Sequence, residues 1–255
     1  MTGAELLAVF AAGVGAGAIN TVVGSGTLIT FPVLLAVGLS PVTATVSNAL
    51  GLIPGSISGA IGYRRELAGQ RRRLVKLGAG AVCGGLAGAT LLLALPATAF
   101  ETVVPVLVAL ALVLVVLQPW LNERMRRRRA RTGRSARPDG GPALLGGLTL
   151  ASVYGGYFTA AQGIIYLSLM GMAIEDSVQR LNAAKNVLAA LVNSVAALFF
   201  LFVADFDWTA VALIAAGSAL GGQIGAGVGR RLSPVVLRTA VVAVGSVALA
   251  QLLAN

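Results

Sequence analysis

The chain has 255 residues, of which 57% are hydrophobic and only 11% are charged. Soluble domains carry about a quarter charged residues to solvate their surfaces, so a cytosolic enzyme, a secreted domain and a disordered chain are excluded together. The formal charge is +10, yet the basic residues stand in short clusters between apolar stretches, as membrane orientation signals do, and do not indicate nucleic-acid binding.

Cys83 is the single cysteine, which leaves no disulfide framework and no thiolate cluster. Histidine is absent, and with it the commonest general base and metal ligand. No metal or other cofactor is expected. No basic residue precedes the first apolar run, so no secretory signal peptide is expected either.

A helix needs roughly 20 apolar residues to cross a bilayer. Apolar runs of that order fall at 4–23, 41–62, 74–95, 97–119, 143–161, 181–203, 208–229 and 234–253. Two more, 26–38 and 162–173, are about a dozen residues long; a helix of that length covers only about 18 Å and cannot span alone. Each follows a break, at Gly24-Ser25-Gly26 and at Gln162-Gly163. Helices interrupted in this way line cavities, because their freed backbone groups need protein or water partners. Pro54 removes a helix bond within 41–62 and is expected to kink that span.

The second half repeats the first. Gly80, Gly84 and Gly88 recur at one constant offset as Gly217, Gly221 and Gly225, and Gly26 recurs as Gly163 at the same offset. With a small gap, Asn48 aligns with Asn182. If the long and short segments opening each half form a hairpin, each half passes five times and the copies are inverted. Eighteen of the 19 Lys and Arg residues then share one side, in loops 63–76, 120–142, 175–180 and 230–233 with Arg238 just inside its helix. The other side receives Glu101, Asp205 and Asp207. The positive-inside bias favours this over parallel copies. The expected fold is thus all-α and polytopic: two inverted repeats of about five helical segments, with eight full spans plus two short helices after the Gly breaks. The divisions are 1–121, an Arg-rich cytoplasmic linker at 122–142 read as a flexible loop, and 143–255, with both termini outside the plasma (inner) membrane.

The rows Gly51/Gly55/Gly59, Gly80/Gly84/Gly88 and Gly217/Gly221/Gly225/Gly229 each occupy one helix face, where missing side chains let backbones approach closely. They serve intrachain packing or a homodimer equally well. Tyr63, Trp120 and Trp208 lie at span ends and read as interfacial anchors. Glu175 and Asp176 read as loop residues capping the next helix.

Polar side chains inside a bilayer are costly and mark pathways or packing contacts. In the first half they are Asn20, Thr21, Ser25, Thr27 and Thr30 with Gly24 and Gly26 at the break, then Thr43, Ser47 and Asn48. In the second they are Tyr157, Thr159, Gln162 and Tyr166 beside Gly163, then Asn182, Lys185, Asn186 and Asn193. Asn182, Lys185, Asn186 and Asn193 fall at i, i+3, i+4 and i+11, one stripe of a helix. Amides, hydroxyls and one ammonium suit a small oxyanion, and half-helix N-termini at the breaks would add oriented N–H groups. Such a midplane site is how transporters with inverted repeats are built. Two blander readings stay open: Lys185 could snorkel to the headgroups, and the asparagines could be interhelical glue.

The run Gly17-Ala-Ile-Asn-Thr-Val-Val-Gly-Ser-Gly-Thr-Leu-Ile-Thr-Phe-Pro32, followed by Ser47-Asn48, resembles the signature of the sulfite exporter TauE/SafE family, also called the toluene-sulfonate uptake permeases. Tyr154-Gly-Gly-Tyr-Phe-Thr-Ala-Ala-Gln-Gly163 through Asn182-Ala-Ala-Lys-Asn186 is similar to its degenerate second copy. The resemblance covers nearly the whole chain. It implies a plasma-membrane transporter of small, often sulfur-containing anions such as sulfite, sulfonates or sulfoacetate. The family's usual run of consecutive glycines is reduced here to Gly24-Ser25-Gly26 and Gln162-Gly163, which enlarges the side chains beside the expected site. No nucleotide-binding loop is present, which excludes direct ATP coupling within this chain. With histidine absent and Asp205 and Asp207 in an outer loop, the expectation is a secondary transporter and not an enzyme. A carrier or channel for another small solute, such as a carboxylate, remains the alternative.

Overall fold

The structure is a computed structural model, and it describes residues 1–132, 140–228 and 234–254. Among the described residues it is all-helical: α1 (Gly3–Val22), α2 (Thr27–Ala36), α3 (Pro41–Gly51), α4 (Ile53–Gly62), α5 (Arg71–Ala94), α6 (Ala97–Thr132), α7 (Gly141–Tyr157), α8 (Gln162–Ala173), α9 (Val178–Phe200), α10 (Trp208–Val228) and α11 (Pro234–Ala254). Among the described residues, five stretches are long and apolar enough to cross a membrane: Gly3–Val22, Arg71–Ala94, Ala97–Leu121, Val178–Phe200 and Trp208–Gly227. Thr27–Ala36 and Gln162–Ala173 are the short apolar helices expected after the breaks.

Local sequence sets the helix starts. Thr2 and Glu5 form a capping box on α1. Ser40 caps α3 with Pro41 in the first turn, and Ser177 caps α9 by accepting from the Arg180 N–H. Asp207 accepts from the Ala210 N–H at the start of α10. The cap of α9 is therefore Ser177; Asp176 instead pairs with Arg73 and Arg180, which corrects the expected capping role.

The run 41–62 is not one continuous helix. It breaks at Leu52 into α3 and α4, two residues before Pro54, where the missing N–H and the ring forbid a continuous ladder. Ser218 of α10 enters the gap: its hydroxyl accepts from the Gly55 N–H at 3.1 Å and donates to the Gly51 carbonyl at 2.8 Å. The i→i−4 bond between residues 55 and 51 is thus replaced by a relay through a side chain from the other half, a recognised cause of helix kinks.

The glycine rows are taken up within the chain. A Cβ on Gly80, Gly84 or Gly88 of α5 would strike α7 at Thr149, Ser152, Val153 or Tyr157. A Cβ on Gly217, Gly221 or Gly225 of α10 would strike α1 at Phe10, Val14, Ala18 or Thr21. The same three-glycine ridge therefore seats the opening helix of the opposite half in each case. Gly55 and Gly59 bring α4 against Ser218 and Thr21. Gly229, the last of its row, lies outside the described residues, as do the loop at 230–233 and residues 133–139.

Two further readings are revised. Helix α6 continues through Thr132, so the first part of the Arg-rich segment is helical and not a flexible loop. Tyr63 is no interfacial anchor: it is buried against Ala183 and Ala226, whereas Trp120 is exposed at the end of the apolar stretch Ala97–Leu121 and Trp208 at the start of α10.

Candidate functional site

Helix α1 ends two residues before Gly24, which adopts φ +90°, a conformation that only glycine enters without cost. The second break is tighter. Thr159 and Ala161 stand at φ +70° and +57°, left-handed backbone held by non-glycine residues. Such positions carry strain and concentrate at functional sites. The two breaks meet. The Gly163 N–H donates to the Gly24 carbonyl at 3.1 Å, and a Cβ on either glycine would lie 2.5 Å from the Cα of the other.

The polar stripe of α9 reaches this crossing from one side. The Lys185 side chain runs past Gly163, whose missing side chain leaves room for its stem. Its Nζ donates to the carbonyls of Asn20 at 2.7 Å and Thr21 at 3.1 Å. Asn182 Nδ2 donates to the Thr21 carbonyl at 2.8 Å, and Asn186 Nδ2 does so at 3.4 Å. The last carbonyls of a helix lack internal partners and form the negative end of its dipole, so an ammonium and two amides are the groups that satisfy them. Lys185 is 1% exposed, which sets aside the snorkelling alternative. The carbonyl end of α1 receives it.

Asn20, Thr21, Gly24, Gly163, Asn182, Lys185 and Asn186 are thus brought into one cluster. Asn20 also donates from Nδ2 to Ser56 Oγ of α4 at 3.3 Å. Gly26 sits on α1 at Ala16 and Asn20. Within the cluster the hydroxyl of Thr21 and Oδ1 of Asn182 are buried without a hydrogen-bond partner, and so is the Ser25 hydroxyl between the two glycines.

The remaining predicted residues form separate groups. Asn48 ties α3 to the first turn of α2, donating to Thr27 Oγ1 at 3.1 Å and accepting from Thr30 Oγ1. Gln162 lies over Gly155 and donates to the Tyr166 hydroxyl, which also meets Ser152 Oγ. Ser47 accepts from the Asp207 N–H, away from the crossing. Tyr157 packs edge-on to Phe100, which with Phe31 and Phe158 forms an aromatic group beside the second break.

Sequence reasoning passed over Ser56, Ser152 and Ser218. Each is a hydroxyl in a small-residue stretch, and such stretches read as packing until the opposing helix is known. It also passed over the ion network on the basic-loop side. Arg73 Nη1 on α5 meets Asp176 Oδ2 at 2.9 Å, and Arg180 Nε meets Asp176 Oδ1 at 2.8 Å. Gln70 Nε2 donates to the Arg180 carbonyl, and Arg180 Nη1 donates to the Ala68 carbonyl. Burial alone would raise the Asp176 pKa. The Arg73 hydrogen bond, the Ser177 N–H and the Arg180 charge outweigh it and hold the carboxyl below its ordinary range. Among the described residues no group of three or more His, Cys, Asp or Glu side chains gathers that could hold a metal ion.

Apolar helices of membrane-crossing length, with polar groups gathered where two helix breaks meet, define a polytopic membrane protein of transporter type. The family profile described as "Sulfite exporter TauE/SafE" matches residues 9–252, and the chain belongs to that family. It is similar to the probable membrane transporter protein YfcA of Escherichia coli K12, with 28% identity over 93% of this chain and 86% of the relative. A probable membrane transporter protein of Haemophilus influenzae is 25% identical over 88% of this chain and 85% of its own length. No solved structure matches significantly.

Proposed function

We propose that the protein is a secondary transporter moving small, sulfur-containing anions of the sulfite, sulfonate or sulfoacetate type across the plasma membrane by alternating access. The observation that carries the reading is the crossing of Gly24 and Gly163, with Lys185, Asn182 and Asn186 beside it. A cation and donor-rich amides at a junction of broken helices favour an anion over a metal cation. The family's description supports the sulfur-containing class.

In this reading the halves 1–121 and 143–255 are inverted repeats, joined by the 122–142 segment on the cytoplasmic side, with eight spans and both termini outside. The constant offset between the glycine rows, the one-sided basic loops and the matching seats of α7 on α5 and of α1 on α10 support it. Inverted halves supply two equivalent packings of one site, which is what alternating access requires.

Uptake of radiolabelled sulfite into proteoliposomes, with wild type beside Lys185→Ala, is the test. Saturable uptake that counter-exchanges and is abolished by the substitution is expected. Competition by carboxylates but not sulfonates would move the reading to another solute, and conductance without saturation would make the protein a channel.

A further inference from the structure

Asn193 is the member of the α9 stripe that the cluster at Thr21 leaves unused. Its side chain is 1% exposed, and neither Nδ2 nor Oδ1 has a hydrogen-bond partner. It lies seven residues beyond Asn186, two turns along the same helix face and roughly 10 Å further along α9. Both ends of the amide are idle, so an exchanged assignment of its nitrogen and oxygen leaves it equally unpaired. A buried carboxamide with no partner is costly, and native proteins keep few of them without a role.

The repeat shows what the position does in the other half. At the ungapped offset that relates Gly26 to Gly163 and the helix caps Ser40 to Ser177, and not at the gapped one that pairs Asn48 with Asn182, Asn193 corresponds to Ser56, and Tyr157 corresponds to Asn20. Asn20 and Ser56 are bonded to each other. In the second half the equivalent polar group is left open, on the helix that carries Lys185.

We infer that Asn193 is a further ligand-contacting residue on the transport path, and that it takes a small oxyanion bearing a hydroxyl group. The inference rests on the transporter reading given above. An amide with a free donor and a free acceptor is satisfied in full by a ligand offering both. The Asn193 N–H groups donate to an oxygen of the ligand, and Oδ1 accepts from its hydroxyl. An anion without a hydroxyl satisfies the donor half and leaves Oδ1 unpaired in the protein interior, which penalises it.

The experiment compares 2-hydroxyethanesulfonate with ethanesulfonate, which differ by that hydroxyl, in proteoliposomes of wild type and of Asn193→Leu. Wild type is expected to favour the hydroxylated anion about tenfold, the worth of one buried hydrogen bond. In Asn193→Leu that preference falls to unity, while thermal stability in detergent stays level or rises, because an unpaired amide has been replaced by an apolar side chain of similar shape. A structural asparagine would show the reverse, lower stability with unchanged preference, and that result overturns the inference. A wild type that carries both sulfonates equally overturns it as well, whether or not the variant folds, and leaves the transporter reading standing. A wild type that carries no anion removes both.

Discussion

Gly24 and Gly163 touch backbone to backbone, one amide donating to the other's carbonyl at 3.1 Å, although they belong to opposite halves of the chain. The contact joins the two helix breaks directly, with no side chain between them. Alanine at either position would place a methyl group 2.5 Å from the facing Cα. Overpacking of this kind costs about 1–3 kcal/mol, and Gly24→Ala adds the strain of φ +90°. Thermal unfolding in detergent should therefore rank wild type above Gly163→Ala, and Gly163→Ala above Gly24→Ala, with sulfite flux falling in the same order. Equal stability of the three proteins would show that the breaks do not meet.

Ser218 holds open a kink that belongs to another helix. Removing its hydroxyl in Ser218→Ala leaves the Gly55 N–H and the Gly51 carbonyl without their relay in an interior that offers no bulk water. The expected loss is about 1–3 kcal/mol, read as a lower midpoint of unfolding. Thr90→Ala is the control, since that exposed hydroxyl only donates back to the Leu86 carbonyl of its own helix, and its midpoint should stay near wild type.

Asp176 gives the protein a pH-dependent tie between α5 and the start of α9. Its carboxyl ionises more readily folded than unfolded, since Arg73, the Ser177 N–H and Arg180 together overcome the effect of burial. The stabilisation is therefore fully present above the ordinary carboxylate pKa and is lost as pH falls through the depressed folded value. Thermal stability of wild type should exceed that of Asp176→Asn at neutral pH. The gap should close in acid below the ordinary aspartate range and narrow in high salt, because the pair lies near the surface. A gap that stayed constant through the acid range would mean that Asp176 acts by packing alone.

Much of this arrangement is legible in the sequence because hydrophobic length and glycine spacing are local signals. The two short helices follow Gly24-Ser25-Gly26 and Gln162-Gly163 as expected, Pro54 interrupts its span, and the glycine ridges mark close helix contacts. What was not legible depends on the identity of the opposing surface. The stripe of Asn182, Lys185 and Asn186 can be read from spacing, but its partners are main-chain carbonyls of α1, which no side-chain pattern reveals. Tyr63 has the sequence of an anchor and is buried because Ala183 and Ala226 pack over it. The length of α6 was hidden for a different reason: the apolar run stops near Leu121, while arginines are good helix formers and carry the helix on to Thr132.

The crossing of the two breaks also divides what can vary in this protein from what cannot. At Gly24 and Gly163 the contact is made by peptide groups, which every amino acid shares, and the space admits nothing larger than hydrogen. Directly beside them stand Ser25 and Gln162, buried side chains of different size, separated by the same offset as Gly26 and Gly163. On the proposed transporter reading, such a chain can exchange the chemistry around its passage by changing those neighbours while the junction keeps its form. Diversification of cargo and preservation of the junction would then fall on adjacent residues.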